Sequence, residues 1–326
     1  MAVLEFTANN SLELVKKIVT FLTDPTNFGE DNQWTLLRPA SVDEITNEVI
    51  LKGVGDGQDK IYVGMKLEAS TNAGQTDIVL NGYAGYDANL PWEEQPGAIS
   101  HAALPTIPLV ENSRLGCWIS ANTRRFIIVV QMSTQYECAY LGFLKTVAVE
   151  RQYPYPLVIG GSYVQGKKWY SITPGHSVFV NPGSDTYAGL GAYNAAGVYT
   201  TSEDENTSSL RIRRPDGTWR SGLNKTKNNT QGVFEKLQVW PQNTKPTNVL
   251  TVLDNSLTIE NVIMFPCMLY EMYPNGIVGQ FDGVFFIGNR EDLASKDTII
   301  NNDKPYKVFN NIARRDNDEY FVMEWF

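Results

Sequence analysis

A chain of 326 residues with a net charge of −9 repels nucleic acid and anionic lipid, so another protein is its expected partner. Aromatic residues at 11%, 26 glycines and only 19% charged residues favour strands and tight turns over a helical bundle. The strongest apolar run, "FIIVV" at 126–130, is too short to cross a bilayer, and "MAVLEF" at 1–6 lacks the basic-then-apolar pattern of a secretory signal.

Asn10 opens the one clear amphipathic helix. It is a capping residue with Glu13 three positions on, and Leu12, Val15, Ile18, Val19 and Leu22 share a face. The helix is expected to stop before Asp24-Pro25, and "WTLLR" at 34–38 reads as a strand, which together predict an α+β layer. Strand-like runs at 48–52 and 60–68, joined by a segment holding Gly53, Gly55 and Gly57, predict a hairpin. A third strand, "TDIVLNGYAGY", is expected to end at Asn81-Gly82. Residues 84–113 carry Pro91, Pro96, Pro105 and Pro108, which predicts a long excursion and no central strand.

The segment "GCWISANTRRFIIVVQMS" predicts a hairpin turning at 120–123, with Arg124 and Arg125 bordering its apolar second strand. "YECAYLGFLKTVAVE" continues the strand pattern to residue 149. A boundary is expected near Arg151, separating an N-terminal α+β domain (1–150) from a C-terminal β-rich domain (151–326). There Tyr153, Pro154, Tyr155 and Pro156 impose an extended backbone. Residues 181–231 are rich in Gly, Asn, Ser and Thr and read as long surface loops. Within them, "SLRIRRPDGTWRSG" predicts a hairpin turning at Pro215-Asp216-Gly217. Strands resume at "NVLTVL", "LTIENVIMF", "MLYEMY" and "GVFFIGN", and "YKVFNNIARRDNDEYFVMEWF" supplies two more. The expected fold class is mainly β (α+β): antiparallel sheets or a β-sandwich with one N-terminal amphipathic helix and long loops.

The chemistry-bearing candidates are sparse. Gly161, Gly166, Lys167 and Lys168 come one residue short of a phosphate-binding loop, because Lys168 stands where a Ser or Thr hydroxyl would hold Mg²⁺. The following "WYSITPGHSVFV" is β-branched, aromatic and interrupted by Pro174, so the required helix N-terminus is not expected. Two histidines, His101 and His176, and no C-x-x-C spacing give metal ligation little support. Cys117, Cys138 and Cys267 sit among apolar neighbours and read as buried free thiols of a protein folded in a reducing compartment. Glu93-Glu94 beside Trp92 is the best acid pair, but adjacent residues on an extended chain face opposite ways, so a solvated loop pair is expected and not a glycosidase dyad. Asp56 and Asp59 lack the twelve-residue calcium-loop spacing and read as turn residues. Arg211, Arg213, Arg214 and Arg220 form a local basic stripe whose expected target, on an acidic chain, is protein. No enzyme, cofactor or metal is expected.

The pieces "TLLRPASVDEITNEVILKGVGDGQDKIYVGMKLEA", "YECAYLGFLKTVAVERQYPYPLVIGGSY", "RIRRPDGTWRSG" and "YKVFNNIARRDNDEYFVMEWF" are spread along the chain from residue 35 to residue 326, and in them it resembles a group of uncharacterised tailed-bacteriophage virion proteins. The resemblance implies a structural part of the particle, in the tail, neck/collar or baseplate, assembled in the host cytoplasm. Its partners are then copies of itself in hexameric or trimeric symmetry and other virion proteins, with no membrane and no nucleic acid. Tyr153, Pro154, Tyr155, Pro156, Arg211, Arg213, Arg214 and Arg220 are the interface candidates, chosen for expected exposure, together with the loops at 181–231. The alternative is a carbohydrate- or receptor-binding tail module, for which Trp92, Trp169 and Tyr170 offer flat stacking faces.

Overall fold

The computed structural model describes residues 1–56, 59–99, 104–146, 156–165, 178–179, 209–221, 225–226, 234–235, 237–240, 264–271, 276–287, 293–310 and 320–326. Strand β1 (Ala2–Ala8) precedes helix α1 (Ser11–Thr23) and the single turn α2 (Pro25–Phe28). Next come β2 (Thr35–Arg38), β3 (Glu48–Asp56), β4 (Asp59–Ala69), β5 (Gln75–Tyr83) and β6 (Pro105–Val110). Then follow β7 (Leu115–Ala121), β8 (Arg125–Met132), β9 (Gln135–Phe143), β10 (Leu157–Gly160), β11 (Tyr163–Val164), β12 (Leu210–Arg213) and β13 (Trp219–Ser221). A short ribbon pairs β14 (Lys225–Thr226) with β15 (Phe234–Glu235). The last strands are β16 (Leu237–Trp240), β17 (Met264–Glu271), β18 (Gly276–Ile287), β19 (Thr298–Asn301), β20 (Lys304–Asn310) and β21 (Tyr320–Glu324).

Three antiparallel sheets account for nearly all of these strands, as the mainly-β expectation required. A seven-stranded middle sheet runs β1-β7-β8-β9-β10-β12-β13. An N-terminal sheet runs β11-β6-β5-β4-β3-β2, and a C-terminal sheet runs β16-β17-β18-β21-β20-β19. Alternation along β8 and β9 sends Phe126, Ile128, Ala139 and Leu141 into one core with Val63 and Ile107 of the N-terminal sheet. Ile127, Val129, Tyr136 and Tyr140 enter a second core with Phe281 and Phe309 of the C-terminal sheet. The middle sheet is therefore apolar on both faces, which is why "FIIVV" shows no polar alternation. It also takes strands from both sides of residue 150, since β9 pairs with β10; the expected boundary at Arg151 lies outside the described residues.

Helix α1 begins as expected. Asn10 Oδ1 accepts the Glu13 N–H at 2.8 Å. The return bond is shifted by one, with Glu13 Oε2 accepting from the Asn9 N–H at 2.9 Å. Val15, Ile18, Val19 and Leu22 are buried, joined by Leu14 and Phe21, while Leu12 stays half-buried. Replacing Asn10 with Ala is expected to lower the unfolding free energy by about 1 kcal/mol in urea titrations, because the Glu13 N–H loses its acceptor.

Two strand readings need correction. Asn81 and Gly82 do not end β5 but lie buried inside it, and Asn81 Oδ1 accepts N–H bonds from Gly82 at 2.8 Å and Ile99 at 3.0 Å. The amide ties the excursion after β5 back onto the sheet instead of making a turn. Pro105 and Pro108 belong to β6, which lies between β5 and β11. This is tolerated because β11 covers the outer flank of β6 only at Pro105 and Thr106, so Pro108 sits where that flank has no partner strand among the described residues. Strand β1, paired with β7 from Ala2↔Ala121 to Ala8↔Leu115, was not expected.

Candidate functional site

The turn between β7 and β8 is where all three sheets meet. Asn122 Oδ1 accepts the N–H groups of Arg124 and Arg125 at 2.8 and 2.9 Å, which fixes the turn. Its carbonyl accepts from Trp34 Nε1 at 2.9 Å, and its Nδ2 donates to Asp282 Oδ2 of β18 at 2.8 Å. The Thr123 carbonyl accepts the Gly55 N–H of β3 at 2.9 Å, and Arg124 pairs with Asp56 at 2.8 Å. One four-residue turn thus holds the N-terminal sheet on one side and the C-terminal sheet on the other.

Arg125 is the centre of this junction and is fully buried. Its Nη1 donates to the Ser120 carbonyl at 2.9 Å and to Ser120 Oγ at 3.0 Å. Nε faces Asp282 at 3.5 Å, and Nη2 faces Glu324 of β21 at 3.5 Å and the Met1 sulfur at 3.3 Å. Burial holds the Glu324 carboxyl above its ordinary range and Asp282 adds to the rise, while Arg125 pulls it back. The guanidinium fits only because residue 283 is glycine: a Cβ there would lie 2.1 Å from Arg125 Nη2, and φ is +75°. A charge-compensated guanidinium with its acids in fixed positions suits it to holding sheets in register.

A second buried charge centre lies on β9. Glu137 is fully buried and neither carboxyl oxygen has a hydrogen-bond partner. Burial pushes its pKa up to about 8, opposed by the nearby Ser162 hydroxyl. That hydroxyl is already committed, accepting the Cys138 N–H at 2.6 Å and donating to the Cys138 carbonyl at 2.9 Å.

The residues singled out in the sequence are scattered. Tyr153, Pro154 and Tyr155 lie outside the described residues, as do most of 181–231, His101, His176, Trp169, Tyr170 and the segment 166–168. Pro156 is buried, its carbonyl accepting the Leu144 N–H at 3.1 Å, so the expected exposure does not hold there. Arg211 is likewise fully buried: β12 turns that face inward, with Arg211 opposite Ile159 of the first core. Arg213 and Arg214 are half-buried and flank the expected turn, in which Asp216 Oδ1 accepts from the Thr218 N–H at 2.9 Å. Arg220 lies on β13, two residues into a hairpin that Trp219 anchors by donating to the Gly97 carbonyl at 2.7 Å. The four arginines therefore do not form one solvent-facing stripe.

Trp92 is buried against Tyr83 in an edge-on contact at 6.1 Å, which removes it as a stacking face. Glu93 and Glu94 are exposed, as a loop acid pair should be, but sit on a 3-10 turn and not on extended chain. Glu93 pairs with Lys66, which holds its carboxyl below the usual range. Residues 163–164 form strand β11, and the segment after Lys168, where a phosphate-binding loop would need a helix, lies outside the described residues apart from 178–179. Cys117, Cys138 and Cys267 are buried free thiols, as expected, and burial raises Cys117 and Cys267 well above the ordinary thiol range. Among the described residues no helix is long and apolar enough to cross a membrane, and no group of three His, Cys, Asp or Glu is placed to hold a metal.

Neither the junction nor Glu137 carries a recognisable motif, although each leaves a trace in the sequence. An arginine pair directly ahead of "FIIVV", and one acid inside "YECAYLGF", are charges placed where strands buried on both faces have no solvent side. No protein-family model matches the chain, and a search of curated proteins finds no significant match.

Proposed function

We propose that this chain is a structural component of a tailed-phage virion, forming or decorating a symmetric ring in the tail, neck/collar or baseplate through protein–protein contacts. The observation that carries the reading is the state of the sheet edges. Among the described residues, β1 and β19 each have a strand on one side only. Both expose an apolar side chain there, Leu4 at 36% and Ile300 at 66%. Open edges of this kind invite pairing with another chain, and head-to-tail contacts that close on themselves make rings. The three sheets packed about two shared cores and the resemblance to virion proteins support the same reading. The work done is packing, with no turnover and no bound cofactor.

Mass spectrometry of purified particles, with copy number taken from intensity, tests the reading. A copy number divisible by three or six is the expected result. Absence from mature particles overturns it in favour of an assembly factor.

A further inference from the structure

At Gly161 and Ser162 the chain leaves the middle sheet, where β10 pairs with β9, and enters the N-terminal sheet as β11. Several bonds clip the crossover. Ser162 Oγ takes both backbone groups of Cys138, the Gly161 N–H goes to the Ser209 carbonyl at 2.9 Å, and β11 pairs with β6 over only two residues. Gln165 closes it, accepting the Leu104 N–H at 3.0 Å and donating to Glu68 at 2.8 Å.

Glu137 sits beside this clip, one residue before Cys138, with both oxygens buried and without a donor. The Ser162 hydroxyl favours its charge but is committed to Cys138. Val130 stands opposite it on β8. β4 and β6 pack against β9, and Val63, Met65, Ile107 and Leu109 carry their side of the shared core. Tyr163 is the titratable neighbour from the crossover, and the Glu137 charge pushes its hydroxyl further up. Lys66 of β4 is engaged with Glu68 and Glu93.

We propose that Glu137 makes the crossover at 161–165 a proton-controlled latch, closed while the carboxyl is neutral and opened when it ionises. β9 pairs with β8 over 135–142 and with β10 over 140–143, whereas β11 is a two-residue strand, so water reaches the carboxylate by local release of the crossover. The direction follows from linkage. The open carboxyl titrates in its ordinary range near 4.5 and the closed one near 8, so opening releases a proton between those values and is favoured as pH rises. Each pH unit in that window multiplies the open population by up to about tenfold, and the effect levels off above it.

Hydrogen exchange of the intact chain from pH 5 to 9, corrected for intrinsic rates, tests this. Peptides covering 136–143 and 157–165 should lose protection steeply up to about pH 8, while helix α1, whose Glu13 is held down to about 2, does not. Glu137→Gln, neutral at every pH, should flatten the slope, and Glu137→Asp should keep it. A flat wild-type profile overturns the latch, as does an unchanged slope in Glu137→Gln. Should that variant fail to fold, the wild-type comparison decides alone: the same slope in α1 means global loosening and also overturns it.

Discussion

Replacing Arg125 with Ala is expected to lower the unfolding free energy by about 3–5 kcal/mol, the usual result of breaking a buried ion pair from one side. The guanidinium is fully buried, so its removal strands Asp282 and Glu324, whose side chains are only 25% and 22% exposed. It also leaves the Ser120 carbonyl and hydroxyl without their donor. Urea titrations should show a lower midpoint at unchanged slope. Adding Asp282→Asn and Glu324→Gln to Arg125→Met should recover much of the loss, because the orphaned charges are then gone. Raising salt to 1 M should do little to the wild type, since screening reaches buried pairs weakly. A loss below about 1 kcal/mol would class the junction with ordinary surface pairs.

Gly142→Ala should also be severe, at about 3 kcal/mol or more, because crowding adds to an unfavourable backbone angle. Gly142 lies in β9 at φ +144°, and a Cβ there would meet the Arg124 carbonyl oxygen at 2.3 Å and Arg125 Cα at 2.5 Å. Both are backbone atoms at the start of β8, held by the Asn122 turn, so neither has room to move. Gly74→Ala is the matching control: φ is +74° but nothing lies within 4 Å of the added carbon, so about 1 kcal/mol is expected. Thermal melts of the two variants compare a crowded positive-φ glycine with an open one. Equal shifts would refute the crowding argument.

Local chemistry made much of this fold legible in advance. Asn10 and Glu13 mark a helix start by hydrogen bonding within four residues, and Pro215-Asp216-Gly217 marks a hairpin by turn preference. What escaped depends on partners distant in sequence. Whether Asn81-Gly82 turns or continues is decided by the Ile99 N–H, and whether Pro108 sits in a strand by how far β11 extends. Arg211 carries a charge yet lies inside, because the pairing of β12 with β10 turns that face toward the first core. The junction at Asn122 joins residues 160 positions apart, and no spacing rule connects Asp282 to it.

The middle sheet has a further consequence for anyone dissecting the chain. Its ladder joins β9 to β10 and β12, so a cut between residues 146 and 156 severs a connection but not the ladder. Expressed alone, either half would present a raw flank of unpaired amides and carbonyls, and should precipitate. Co-expressed, the two pieces are expected to find one another and elute together, which makes this position a natural place to split the gene for a complementation reporter.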